Sequence, residues 1–543
     1  MRITNQMMVN SSLANIQVNK GQMSTLDTQL STQKKINKPS EDPIIAIRAL
    51  RLRASLDQVT QYLGKNIPDA SSWMSVTHDA LDEANSIVMD LNKYCVQGST
   101  DSYSSAERNT LSESLEKLVE AYYSQGDVDY AGRHVFTGYN TDKTLTYQSD
   151  AEAADVDYTI TQQFTRENIS TKTVYTNAYS NEDLINLNVK TDDGTATGTV
   201  ITPNVEDVHR LQLGYKDVSS EGQTFWYQDK SVEVSADGAS ATMKTYQLDD
   251  KGAIAKDDSG NPIVLTTTEI NADTDGKLVV AGFMDDPITF SSTTDTNYIP
   301  SDNEIAMNAT TGDLLLGKNA YQQIYESNAF SETYSKDNFI KGDIDPTMYY
   351  NCVDNNTGVT YNKDQEDIEY NVNFSQKLKV NTEASEAFNM YLGRNVDDLV
   401  AAVQNRLDVE KQITQVESMM KEEAYSDDAS QEKLTSILEG LNKQNDLAKD
   451  QMTKAFEKGI TQMQNYQQQL SNSKADVGNR MTRLDLTKSR LTEQKTNFTS
   501  LKSQNEDVDL EEVVVNYSSA ELVYNASLTA ASKVVKQSLL DFL

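Results

Sequence analysis

Apolar residues recur at helical spacing through roughly the first hundred positions and again through the last ninety, whereas the middle of the chain alternates like β-sheet. Near the C-terminus Leu510, Val514, Tyr517, Glu521, Tyr524, Leu528, Ala531, Val535, Ser538 and Phe542 follow steps of three and four. They share one helical face, interrupted only by Glu521 and Ser538. An apolar face needs a cover. The expectation is that the other terminus or another molecule supplies it.

At the other end a helix is expected from about Thr4 to Lys34, with Leu13, Ile16, Met23, Leu26 and Leu30 on one side. The candidate assembly seam is therefore Leu13, Ile16, Met23 and Leu30 together with Leu510, Val514, Tyr517, Tyr524, Leu528, Ala531, Val535 and Phe542. The first helix stops at Ile36 to Pro43, where two prolines impose extended backbone on the residues before them. Asn37, Pro39, Ser40, Asp42 and Pro43 form a candidate domain-joining segment, with Asp42 and Pro43 reading as the N-cap and first turn of the next helix. Pro68 should kink or divide the helix that follows. Ser104 to Glu107 reads as a capping box.

From Phe456, every seventh residue is apolar: Met463, Leu470, Val477, Leu484, Leu491 and Phe498. Gln467, Lys474, Lys488 and Lys495 fill alternate positions, so the seam is too polar for a two-stranded zipper and should pack in an antiparallel bundle with residues 44 to 124. Asn395 is read as capping one helix, and Asp428 with Gln431 as boxing another. Ser503 to Asp509 breaks the pattern as Asn37 to Pro43 does near the start.

Between Gly138 and Gly393 short Val-, Thr-, Ile- and Tyr-rich runs read as strands, among them Val156 to Phe164, Thr224 to Gln228 and Leu278 to Gly282. The fold class is α+β: a rod of antiparallel N- and C-terminal helices with a β-rich domain inserted in the middle. The expected domains are 1–36 with 510–543, 37–137 with 394–509, and 138–393.

Net charge is −34, of which −36 falls on positions 61 to 475, and this argues against a nucleic-acid surface. Two cysteines, Cys95 and Cys352, cannot build a disulfide framework or a four-ligand zinc site. No secretory signal or membrane span is evident, so the chain is read as cytoplasmic or as exported by a route that needs no such signal. Neither GxGxxG, GxxxxGK[ST] nor HExxH occurs. Asn271 to Gly276 imitates half a calcium loop, but Gly282 stands where a glutamate is needed, and a polar turn is the better reading. Catalytic residues, cofactor and metal are all expected to be absent.

These residues resemble the flagellin superfamily, and within it the hook-associated protein 3 family of hook-filament junction proteins. Met1 to Met8 looks like that family's opening, Asn37-Lys38-Pro39-Ser40-Glu41-Asp42-Pro43 is similar to its NxPSDDP segment, and Gly132 to Tyr139 resembles its GRYxFxGY block. Lys379 to Phe388 and Ser503 to Leu543 resemble its return from the insert and its C-terminal end. Flagellin itself usually lacks the second proline of the joining segment. The resemblance implies a non-enzymatic adaptor, secreted by the flagellar export apparatus and located outside the cell in the flagellum. Its implied partners are further copies in a ring, a neighbouring hook-associated junction protein, flagellin, and an export chaperone at the C-terminal helix; nucleic acid and membrane insertion are not implied. A flagellin filament subunit is the alternative, with a cytoplasmic coiled-coil scaffold and an enzyme housed in the insert behind it.

Overall fold

The computed structural model describes residues 5–100, 103–187, 199–219, 222–235, 238–257, 261–274 and 276–540, apart from the side chains of residues 5, 186, 187 and 534–540. Its principal helices are α1 (Asn5–Thr32), α2 (Pro43–Gln61), α3 (Ile67–Gly98), α4 (Ser105–Ser124), α5 (Lys318–Ser327), α6 (Tyr391–Met419), α7 (Asp428–Glu506) and α8 (Leu510–Leu540). Long helices form both ends and strands fill the middle, so the fold is α+β. By internal contact the chain divides into a terminal unit of residues 1–71, 369–379 and 480–543, and a central unit of residues 72–368 and 380–479.

In the terminal unit α1 packs on α8. α2 opens as its sequence dictates: the Asp42 side chain accepts from the amides of Ile44 and Ile45, and Pro43 occupies the first turn, where its missing N–H costs nothing. The helix is divided just before Pro68. The turn before it widens into a π-helix over Tyr62–Asn66, which relieves the clash between the proline ring and the carbonyl four residues earlier. A hairpin of Glu369–Asn373 and Gln376–Lys379 packs against this wide turn, with Asn66 Nδ2 donating to the Asn371 carbonyl at 2.7 Å and the Tyr62 and Phe374 rings 5.8 Å apart edge to face.

In the central unit α7 runs antiparallel to α3, because Phe456 lies against Gly98, Gly459 against Cys95, and Lys474 against Asp82. The seven-residue repeat marks the buried line: Phe456, Met463, Leu470 and Val477 are fully buried, as are Leu81, Ala84, Leu91 and Cys95 opposite. The Cys95 thiol is pushed up to about 12 by burial, which makes it a packing residue rather than a nucleophile. Ser104 and Glu107 cap α4 reciprocally. Two helix starts differ from expectation. Asn395 is not a cap: α6 already begins at Tyr391, and the Asn395 amide, buried inside it, donates to the Tyr466 hydroxyl. For α7 it is Asp427 that caps, accepting from the Ser430 amide, while Gln431 turns back to the carbonyls of Met420 and Tyr425.

The inserted strands form two sheets. An eight-stranded antiparallel sheet contains β1 (Tyr158–Phe164) and β4 (Thr224–Tyr227) on either side of β8 (Phe330–Lys336). A six-stranded sheet contains β2 (Ile169–Asn177), β3 (Asn204–Gln212), β5 (Ile288–Thr293), β6 (Glu304–Asn308) and β7 (Asp313–Leu316), and only β5 and β6 run parallel in it. Aromatic side chains fill the space between sheets, Phe225 stacking on Phe290 at 4.7 Å. A buried ion network fastens the second sheet to α6. Arg210 on β3 meets Asp313 on β7 at 3.1 Å and also Asp398 on α6, and Lys172 reaches Asp313 at 3.0 Å. The expected calcium-loop mimic is a turn after the strand Val264–Asn271, closed by the Gly276 amide on the Asp273 carbonyl at 3.0 Å; Asp275 lies outside the described residues.

Candidate functional site

The α1–α8 pair is the place to which the candidate seam residues belong, and the structure sorts them into two groups. Facing inward on α1 are Val9, Ser12, Ile16, Asn19, Met23, Leu26 and Leu30, all half-buried. Opposite them on α8 stand buried Val513 and half-buried Tyr517, Ala520, Tyr524, Ser527 and Ala531. Both rows step by threes and fours, the period of a two-helix coiled coil. Asn19 Nδ2 donates to Ser527 Oγ at 3.0 Å, so the seam carries a polar pair that pins register. Ile16, Met23, Leu30, Tyr517, Tyr524 and Ala531 of the candidate seam lie on these rows.

Leu13, Leu510, Val514 and Leu528 do not. They are 52, 43, 50 and 42% exposed, on the flanks of the pair. Val535 and Phe542 fall where no side chain is described. Hydrophobicity alone selects the large residues beside the true inner row because that row contains small and polar members, Ser12, Asn19, Ala520 and Ser527. The uninterrupted heptad spacing of residues 513, 517, 520, 524, 527 and 531 is the signal that identifies it.

Apolar side chains also point away from the partner helix. Val515 and Leu522 are 67 and 72% exposed, and Met7, Val18 and Val523 are exposed too. A groove of 740 Å³ runs along one side, bordered by Gly21, Thr25 and Leu26 of α1 and by Asn516, Ala520 and Val523 of α8. Small residues lining a groove between two helices suit the ridge of a third helix.

Where α1 ends and α8 begins, the residues on either side of the joining segment are stitched to the stretch before α8. The Lys35 amide donates to the Glu506 carbonyl at 2.7 Å, and the Val508 amide to the Gln33 carbonyl at 3.2 Å. Lys34 pairs with Asp507 and lies 3.6 Å from Glu506; Arg53 holds Glu506 bidentately. Burial pushes the Glu506 carboxyl up, but the hydrogen bonds and charge of Arg53, with Lys34, outweigh it and leave the group below its ordinary value. The hydrogen bond from Lys34 lowers Asp507 as well. Within the segment itself the Asn37 amide donates to Glu41, Asp42 caps α2, and Pro39 and Ser40 are exposed.

Among the described residues no group of three or more His, Cys, Asp or Glu is arranged to hold a metal, and no helix is long and apolar enough to cross a membrane. The chemistry of this surface is packing.

Comparison with known proteins bears on what such a surface is for. Residues 3–141 match the model of the bacterial flagellin N-terminal helical region, and residues 460–543 that of the bacterial flagellin C-terminal helical region. Both ends of the chain are thus similar to flagellin helical regions. The flagellar hook-associated protein 3 of Salmonella typhimurium is 26% identical over 30% of this chain and 51% of its own length, and that of Escherichia coli is 26% identical over 26% and 45%. The flagellin of Clostridium tyrobutyricum is 25% identical over 43% of this chain and 60% of its own. The chain thus spans about half the length of the two hook-associated relatives. A crystal structure of FlgL from Xanthomonas campestris aligns with 83% of this chain and 99% of that one at 10% identity, with a TM-score of 0.30, too low to carry an argument. The flagellin-type helical regions contain the whole α1–α8 pair.

Proposed function

We propose that this chain is a structural subunit of the bacterial flagellum, a junction adaptor that leaves the cell by the flagellar export apparatus and assembles as a ring at the distal end of the hook. There it rests on a neighbouring hook-associated protein and offers flagellin a surface on which to begin polymerising. The observation that carries the proposal is the apolar surface of α8, which points both toward α1 and, through Val515, Leu522 and Val523, away from it. A helix that is apolar on several sides is built to be surrounded. Copies of the same pair, seated in its groove, would surround it, whereas the acidic middle of the chain keeps the bodies apart. In this reading residues 1–36 with 510–543 are the assembling domain, 37–137 with 394–509 its helical support, and 138–393 the outer domain. An export chaperone would cover α8 before secretion.

Deleting the gene tests the proposal. Hooks without filaments, and flagellin released to the medium, are the expected result; normal filaments overturn it. The second reading, a filament subunit, is favoured by the longer match to the Clostridium tyrobutyricum flagellin. Gold-labelled antibody decorates the whole filament in that case and only its base in the first.

A further inference from the structure

A cleft of 560 Å³ in the central unit lies between the β2–β3 strands, α5 and the helices α6 and α7, far in character from the apolar surface of α8. Its volume falls within the roughly 300–1,000 Å³ typical of ligand pockets. One wall is an aromatic shelf. The His209 ring stacks flat on Tyr321 at 3.7 Å, and Tyr325, one helical turn further along α5, continues it at 5.8 Å. Tyr325 is 44% exposed, so part of its ring is open to a ligand.

The floor supplies a second, independent observation. Gln212, at the end of β3, lines the cleft, and among the described residues its side-chain amide makes no hydrogen bond to the protein while its polar atoms stay open to the cleft. An amide open to a cleft offers two N–H donors and a carbonyl acceptor to whatever enters it. Arg166, whose guanidinium lies 5.8 Å from the Tyr325 ring, and Lys458 line the cleft against the single carboxylate of Glu167. That local excess of positive charge sits in a stretch of chain carrying −36.

Aromatic rings, an amide open to the cleft and cations at one site correspond to one ligand chemistry. Ring faces cover the C–H side of a pyranose, an amide pairs with vicinal hydroxyls, and Arg or Lys pairs with a carboxylate. A polynucleotide is disfavoured, because its phosphates would run beyond the two cations of the cleft onto the surrounding acidic surface, whereas the carboxylates of a disaccharide stay within reach of those cations. We propose that this cleft binds a short acidic oligosaccharide, with Tyr321 and Tyr325 as the stacking surface, Gln212 as the hydroxyl reader, and Arg166 and Lys458 as the carboxylate partners. This would give the inserted domain a binding activity of its own, independent of assembly through the helical ends.

Saturation-transfer NMR and calorimetry on the full chain test it, with digalacturonic acid as the probe and cellobiose as the neutral control. Digalacturonic acid is expected to bind in the millimolar range or tighter, with a dissociation constant below about 10 mM. Tyr325→Ala, a change at an exposed side chain that leaves folding intact, should weaken it about tenfold, the loss of roughly 1.4 kcal/mol. Gln212→Leu should do the same, and Lys458→Met should abolish the preference over cellobiose. Absence of binding at 10 mM overturns the proposal, as do variants that bind like the parent or equal binding of cellobiose. If Tyr325→Ala instead dissociates an oligomer in sedimentation while no sugar binds, the cleft is a contact between copies and the proposal fails.

Discussion

Arg53 grips Glu506 through two hydrogen bonds of 2.7 Å each, across 453 positions of sequence. Glu506 is almost fully buried while half of the Arg53 side chain remains in water, so the carboxylate depends on the pair more than the guanidinium does. Arg53→Ala leaves that carboxylate with Lys34 and the more distant Lys502, and is expected to destabilise the terminal unit by about 1–3 kcal/mol, discounted for the exposed partner. Because the folded state holds Glu506 and Asp507 below their ordinary values, it binds fewer protons than the unfolded chain in acid. The stabilisation is present above the ordinary carboxylate values and is lost as pH falls through the depressed folded-state values. Thermal melts of parent and Arg53→Ala between pH 3 and 7 should converge at the acid end. Curves that stay parallel throughout would show that the pair contributes nothing.

Glu332 carries the opposite sign. It lies on β8 with Gln162 of β1 and Phe225 of β4 as its neighbours in register, is fully buried, and neither carboxyl oxygen has a hydrogen-bond partner. Burial raises it well above the carboxylic range, so the folded state keeps the proton that the unfolded state releases above about pH 4. Its contribution to stability therefore worsens as pH rises. Glu332→Leu should raise stability at pH 7 by roughly 1–3 kcal/mol and flatten that pH dependence. Denaturant melts at pH 5 and pH 8 provide the check; a destabilised variant at both would mean that the carboxyl is engaged.

Glycines predict the packing of α3 on α7. A Cβ added at Gly98 would stand 2.5 Å from the buried Phe456 ring, whereas one added at Gly21 of α1 would meet nothing within 4 Å. Gly98→Ala gains about 1 kcal/mol of helix propensity but forces overpacking that costs about 1–3 kcal/mol, so a net loss is expected. Gly21→Ala has only the gain in the isolated chain. Helicity and melting temperature should move in opposite directions for the two variants.

The helical ends were legible because their signals are local: proline breaks, capping side chains and a period of seven require no knowledge of the partner. Phe456 to Leu491 show this, each fully buried at its seventh position. The inner row of α8 was less legible because Ala520 and Ser527 are defined by their spacing and not by their hydrophobicity. The insert hid more. Strand β3 interleaves Glu206, Asp207 and Arg210 with Val205, Val208 and Leu211, and its Arg210 is explained only by Asp313 and Asp398, which lie more than a hundred positions away. The cleft drew residues from five separate stretches of chain, and no spacing rule joins Tyr325 to Gln212 or Lys458.

Leu522 separates the two jobs of α8. At 72% exposure it contributes little to the α1–α8 pair, so Leu522→Lys should leave the helicity and melting of the isolated chain unchanged, within about 0.5 kcal/mol. In the assembled state the same ammonium would have to enter an apolar contact without a partner, a cost of several kcal/mol that the substitution carries to every copy. Tyr524→Lys, on the half-buried inner row, should instead weaken the pair before any assembly begins. The contrast is read by circular dichroism of the purified chains and by complementation of a deletion strain. Leu522→Lys is expected to fold but fail to restore filaments. The terminal pair is only two helices thick, and two helices bury only about enough to offset the ordering of their chain, so the pair is partly formed before assembly. A variant lacking residues 1–36 and 510–543 should accordingly lose much less helix than the 28 residues of α1 and the 31 of α8 would supply. Loss of that full complement would show that the ends are already ordered alone. The assembly surface would then be preformed, with no ordering step left to couple to polymerisation.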